Sequence, residues 1–303
     1  MKIGIFGVLT DRSTVTLAEI ARAAEDRGLE SLWIGEHSHL PVGSIHPKHG
    51  GAPLPDYYAR FPDPFLHLAS AATVTSTIRI GTGICLVAQH DALMLAKQVA
   101  TLDHLSDGRF EFGVGYGWNP LEMRNHGVEY TARRAVLREK LVALGRLWTE
   151  ETASFAGEHV SFTPSQSWPK PVQQPRPPIV VGAEAGARTF ADVIDLADGW
   201  MPMTIRAADR LPEQLRRLHD ACETAGRDPL SVAVSVLDPT TALTDLAPDD
   251  FARSCPTADA VDGFARLGAH RLIVGVPFST RDNTLRALDH LGLLAARTVH
   301  SWT

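Results

Sequence analysis

Cysteine is scarce: Cys85, Cys222 and Cys255 are the only three in 303 residues, too widely spaced to staple the chain or to hold a metal at ligand spacing. A reduced, cytoplasmic protein is therefore expected, with no structural metal. Basic charge is in deficit too. Against 35 Asp and Glu there are 29 Lys and Arg, a net charge of −6, which disfavours nucleic acid as the main partner. No apolar run is long enough to span a bilayer, so no membrane association is expected. A secretory signal is lacking as well, because the apolar run after Lys2 is soon interrupted by Asp11 and Arg12. Repeats and low-complexity tracts are absent.

What is present is an ordinary globular composition, 44% apolar and 21% charged, in a length that one large core or two ordinary domains can fill. Short apolar runs alternate with amphipathic helical patterns. The runs fall at Lys2–Val8, Ser31–Gly35, Ile78–Val87, Arg109–Val114, Ile179–Gly182, Asp198–Met201, Leu230–Leu237 and Arg271–Val276. Helical stripes lie between them, such as Leu17, Ile20, Ala21 and Ala24, or Leu137, Leu141, Leu144 and Trp148. Eight strands alternating with helices predict a closed parallel (β/α)₈ barrel over residues 1–303, whose site lies at the C-terminal strand ends.

Two segments break the alternation. Ser38–Pro62 is rich in Pro, Gly and His without periodicity, and a loop of that length in a compact domain is usually functional. Residues 150–178 read as an insertion: a hairpin over Ala153–Phe162 turning at Gly157, then a proline-rich connector.

The chemistry concentrates at strand ends. Glu36 and His37 follow the second strand, and a histidine there suits a reaction that pairs hydride transfer with proton transfer; a purely structural hydrogen bond is the alternative. In LSDGRFEFGVGYGWNPLE, Gly113, Gly115 and Gly117 alternate, so that the chain either turns tightly or offers a bare wall to a flat ligand. The spacing is not that of the dinucleotide fingerprint. Trp118 and Asn119 follow, and with Tyr57, Tyr58 and Phe61 of the long loop they are candidates for a substrate pocket. His37, His39, His46 and His49 are spaced too irregularly for a metal site to be expected.

Together Glu36-His37, Gly81-Thr-Gly83, DGRFEFGVGYGWNPLE and WPKPVQQPRPPIVVGAEAGA resemble the bacterial luciferase-like family of flavin and deazaflavin oxidoreductases. Asp107-Gly-Arg109, Gly117-Trp118, Trp168-Pro-Lys-Pro-Val172 and Gly199-Trp200-Met201-Pro202 look most like its actinobacterial branch, which uses the deazaflavin coenzyme F(420).

The resemblance implies a TIM barrel with insertions, a cofactor across the strand ends, catalytic Glu36 and His37 beside its ring, and Val87 and Ala88 behind it. A non-prolyl cis peptide is expected at Val87-Ala88. Gly115 and Gly117 would line the ring. Gly182, Ala183, Glu184, Ala185 and Gly186 match the phosphate loop, where N–H groups ahead of a helix attract an anion and Arg188 adds charge. Ala183, Ala185 and Ala187 stand where many FMN-binding members have Ser or Thr, which favours F(420) over FMN. Arg60 is a second candidate for the acidic tail of F(420). Some relatives carry a catalytic acid near Trp118, which cannot serve, leaving Glu122 as the fallback.

The implied function is F(420)-dependent hydride transfer to or from a small organic substrate. An FMN-dependent monooxygenase and a non-catalytic flavin or deazaflavin carrier are the alternatives. The expected partners are a second copy of the chain, forming a homodimer, and a separate flavin or F(420) reductase.

Overall fold

The computed structural model describes residues 1–45, 53–203, 208–243 and 248–299. His46 and His49 lie outside the described residues. The chain runs β1 (Lys2–Gly7), α1 (Leu17–Glu25), β2 (Ser31–Ile34), α2 (Pro64–Ala72), β3 (Arg79–Thr82), α3 (Ala92–Leu105), β4 (Phe110–Val114), α4 (Pro120–Asn125) and α5 (Arg133–Thr149). A hairpin of β5 (Ala153–Ala156) and β6 (Ser161–Ser165) follows. Then come β7 (Ile179–Val181), α6 (Ala187–Leu196), β8 (Gly199–Trp200), α7 (Leu211–Thr224), β9 (Ala233–Asp238), α8 (Pro248–Ser254), α9 (Ala258–Arg266), β10 (Arg271–Gly275) and α10 (Arg281–Val299).

The barrel is closed and parallel in the order β1-β10-β9-β8-β7-β4-β3-β2, as the strand count predicts. Its strands are buried on both faces, because helices cover the outside and side chains fill the inside. Phe6, Trp33, Val180, Met201, Leu237 and Ile273 form that inner plug, so the barrel is a core and not a pore. Helix starts are set by short polar caps. Thr16 and Glu19 form a reciprocal capping box on α1, and Asp63 and Asp91 accept from N–H groups in the first turns of α2 and α3.

Two strand boundaries differ from expectation. The third barrel strand ends at Thr82, not Val87, because the chain leaves the sheet at Gly83 and enters a buried 3₁₀ turn over Val87–Gln89. The seventh begins at Ala233, since Pro229–Ser231 forms a 3₁₀ turn in which Asp228 accepts from Leu230 N–H. The hairpin is found as expected. Its turn is tied to α5 by the Glu139 carboxylate, which accepts from the N–H groups of Glu158, His159 and Val160 at 3.1, 2.7 and 2.6 Å.

Charge closes the N-terminal end of the barrel. Buried Glu111 of β4 receives Arg271 of β10 at 2.8 and 2.9 Å and also pairs with Arg79 of β3. Arg271 donates to Glu30, just ahead of β2, at 2.7 Å. Burial alone would raise the Glu111 carboxyl, but the Arg271 and Arg79 guanidinium groups outweigh it and hold it below the usual range. Removing one partner of such a cluster leaves buried charge uncompensated, so Glu111→Ala is expected to destabilise the fold by about 3–5 kcal/mol in urea unfolding. Glu213→Ala, which breaks only the exposed pair with Arg216, should leave the urea midpoint in place.

Candidate active site

At the opposite end, four loops meet: those after β2, β3, β4 and β7. His37 is buried, and its Nδ1 lies 2.8 Å from Oε2 of Glu122, which is fully buried on α4. The other carboxylate oxygen accepts from Ser38 N–H at 3.1 Å. The contact engages Nδ1, while Nε2 has no partner among the described residues. The rings of Tyr58, Phe61 and Trp118 surround the imidazole, each with its centroid 5.3 Å away. Tyr57 stacks on Tyr58 at 4.7 Å and so backs this wall.

Glu122, ranked only a fallback from the sequence, is thus the residue that holds His37. Asn119 also has a structural role: it is buried as the N-cap of α4, accepting from Leu121 and Glu122 N–H, and its amide nitrogen donates to Ser44 Oγ at 3.0 Å. It therefore sets where Glu122 sits, and it also lines part of a recess beside Trp118.

Glu36 anchors the next loop. One oxygen is 2.7 Å from His90 Nε2, the other accepts Leu86 N–H at 2.6 Å, and the buried Cys85 thiol also bonds to it. Burial pushes the Glu36 carboxyl up, yet the bond and charge of His90, with the other donors, outweigh that and lower it. His90 is raised by the same pairing against its own burial. Glu36, Cys85 and His90 bring potential ligand atoms within 4.8 Å of one another. Both oxygens of Glu36 are already engaged, and Lys140 stands close by with its Nζ 2.8 Å from Ala88 O, so the cluster reads as a hydrogen-bonded hub. Sequence spacing gave no signal for His90, which lies 54 residues from Glu36.

The cis peptide lies at Gly83-Ile84, not at Val87-Ala88. Val87 and Ala88 are fully buried in the 3₁₀ turn, while Ile84 is half-buried and packs against the inner plug. Its side chain also occupies the space beside two of the glycines. A Cβ on Gly115 would fall 1.7 Å from Ile84 Cδ1, and one on Gly182 would fall 2.5 Å from Ile84 Cγ2. The gap at Gly115 is filled by the protein itself. Gly117 is needed for its backbone, with φ +76°.

After β7, Gly182–Gly186 lead into α6, whose N-cap Gly186 is extended and supplies no side-chain cap. Glu184 and Arg188 are exposed, while Ala183 and Ala185 are half-buried. The loop is held from two sides: Trp200 Nε1 donates to Ala183 O at 2.9 Å, and Arg134 donates to Arg188 O at 3.0 Å while gripping buried Asp192. Arg60, the second candidate for a cofactor tail, has its guanidinium 2.7 Å from Asp11.

A closed parallel barrel with a histidine–carboxylate pair and an open helix N-terminus at its C-terminal mouth is the architecture of a barrel enzyme. Residues 7–249 match the family described as luciferase-like monooxygenase, and the chain belongs to that family of oxidoreductases and monooxygenases. It is 40% identical over 296 residues to an uncharacterised protein of Mycobacterium tuberculosis, covering 96% of this chain and 97% of that one. It is 28% identical over 216 residues to an F(420)-dependent glucose-6-phosphate dehydrogenase of Kineococcus radiotolerans, covering 70% and 59% of the two. The crystal structure of monooxygenase RslO1 from Streptomyces bottropensis superposes with a TM-score of 0.74 at 22% identity, covering 99% and 100% of the two chains, a likeness of fold.

The hub gives a pH signature. His90 is raised in the folded state, so its contribution is complete below its ordinary value of 6.5 and is lost as pH rises through the raised one. Glu36 is lowered, so its contribution is complete above 4.5 and is lost as pH falls through the lower value. The Tm gap between the natural protein and His90→Gln should be widest between these two limits and narrow towards alkaline pH. A gap that widens above neutrality would contradict the pairing.

Proposed function

We propose that this protein is an F(420)-dependent oxidoreductase that moves hydride between the deazaflavin and a small organic substrate, with His37 as its acid–base group. The observation that carries this reading is the His37–Glu122 pair: Nδ1 is fixed on a buried carboxylate and Nε2 is left open among aromatic rings at the barrel mouth. When bound, the deazaflavin supplies or accepts the hydride. His37 Nε2 takes the proton from a substrate hydroxyl during oxidation, or returns it to the carbonyl oxygen during reduction. Glu122 keeps the imidazole in one tautomer and stabilises the imidazolium that results.

The residues present fit such a cofactor. Gly182–Gly186 and the uncapped start of α6 offer backbone N–H groups to a phosphodiester, with Arg188 exposed beside them. Ile84, filling the space between Gly115 and Gly182, would offer a bound ring an apolar contact. The loop's alanines offer no hydroxyl to the terminal phosphate of FMN, where each missing hydrogen bond to a charged group is worth about 1.5–3 kcal/mol.

Calorimetry with both cofactors at physiological salt tests the assignment. F(420) is expected to bind at least about tenfold more tightly. A lower dissociation constant for FMN would put the monooxygenase reading in its place.

Loss of deazaflavin absorbance with a panel of alcohols and carbonyl compounds tests the acid–base role. His37→Asn should cut turnover by about 10²–10⁴ with little change in cofactor affinity. Glu122→Leu should follow it and Glu122→Gln should recover part of the rate. Full activity in His37→Asn would remove it from the mechanism.

A further inference from the structure

We infer that the substrate of this site is a small, neutral, largely apolar molecule carrying one hydrogen-bonding oxygen, an apolar alcohol or ketone and not a phosphorylated or otherwise anionic compound. The inference rests on the reading of His37 given above and adds the class of molecule it acts on.

Two surfaces meeting at Trp118 carry it. The first is the set of rings about His37, in which Tyr58, Phe61 and Trp118 offer carbon to anything that approaches Nε2. The second is an adjoining recess of about 260 Å³, walled by Trp118, Pro120, Leu121, Tyr130 and Ile45, with Gly43, Ser44 and Asn119 completing it. No charged side chain lines it among the described residues. The Asn119 amide and the Ser44 hydroxyl are bonded to each other, which makes that edge of the wall less demanding of a polar ligand. A space of this size suits a compact molecule, and an apolar wall with one fixed polar group is the usual construction of a small-ligand site.

An anion would need a cation, and three of those nearby are drawn into contacts within the protein. Arg60 is held by Asp11. Arg133 lies flat on the Tyr130 ring, 3.7 Å from its centroid, and donates to Tyr130 O at 2.6 Å. Lys140 is spent on the carbonyls of Ala88 and His90. A phosphate brought against these rings would lose its water without a compensating partner, a cost that the burial of a sugar ring does not offset. A neutral carbonyl or hydroxyl loses far less and finds its single partner in His37 Nε2.

The test reads binding without turnover, using the full chain loaded with F(420), or with FMN if that cofactor binds more tightly. Acetophenone and glucose 6-phosphate serve as probes in ligand-observed NMR titrations. Acetophenone is expected to bind saturably, and its dissociation constant should rise about tenfold or more in Trp118→Ala and in Leu121→Arg. Glucose 6-phosphate should neither bind nor displace it.

Two outcomes would overturn the inference: displacement of acetophenone by glucose 6-phosphate, or acetophenone binding unchanged in both variants. Circular dichroism of Leu121→Arg, a substitution at a half-buried position, guards against mistaking unfolding for lost affinity. Because affinity is measured apart from the reaction, inactivity of His37 variants bears on the acid–base reading and leaves the substrate class to the titrations.

Discussion

One buried carboxylate, Glu111, joins four parts of the barrel wall at its base. It meets Arg79 from β3 and Arg271 from β10, and through Arg271 it reaches Glu30 at the entry to β2. Taking these charges out of water is costly, and only the closure of the cluster in this register offsets it. The cluster therefore acts against slipped pairings of β2, β3, β4 and β10. It also seals one end with charged side chains paired to one another.

The same device recurs at the mouth in three copies with different partners. Glu36 holds the loop after β3 through His90 and Leu86, Glu122 holds the loop after β2 through His37 and Ser38, and Asp192 ties α6 to α5 through Arg134 and Arg138. Each is a buried acid whose donors come from another element. Of the three, the Glu122 network is the one whose imidazole stands among the rings of Tyr58, Phe61 and Trp118, which is why the proposed function is placed there and support is assigned to the other two.

The architecture was legible in the sequence because barrel strands buried on both faces read as continuous apolar runs, and the helices between them carry clear stripes and caps. His37 was legible for a topological reason: it follows a strand that ends at the active face. What escaped were features made by distant contacts. The Glu36–His90 and His37–Glu122 pairs span 54 and 85 residues, and no local pattern reports them. Asn119 was read only as a pocket residue because it follows the glycine loop, yet Asn before a Pro at the start of a helix is also a cap signal, and it serves as that cap while lining the recess. The apolar run through Val87 concealed the exit at Gly83, since a strand and a buried turn are alike in hydrophobicity.

Ile84 sits in the hollow formed by two residues from different strand ends, Gly115 and Gly182. That arrangement links the three positions as a set. A methyl group at either glycine needs an equal retreat at position 84, so the triplet is open to change only by paired steps, in which one side chain grows as the other shrinks. In a lineage drifting towards new substrates, the aromatic box and the recess can vary residue by residue, whereas this joint passes through few intermediates. This joint is thus the part of the mouth least free to change one residue at a time.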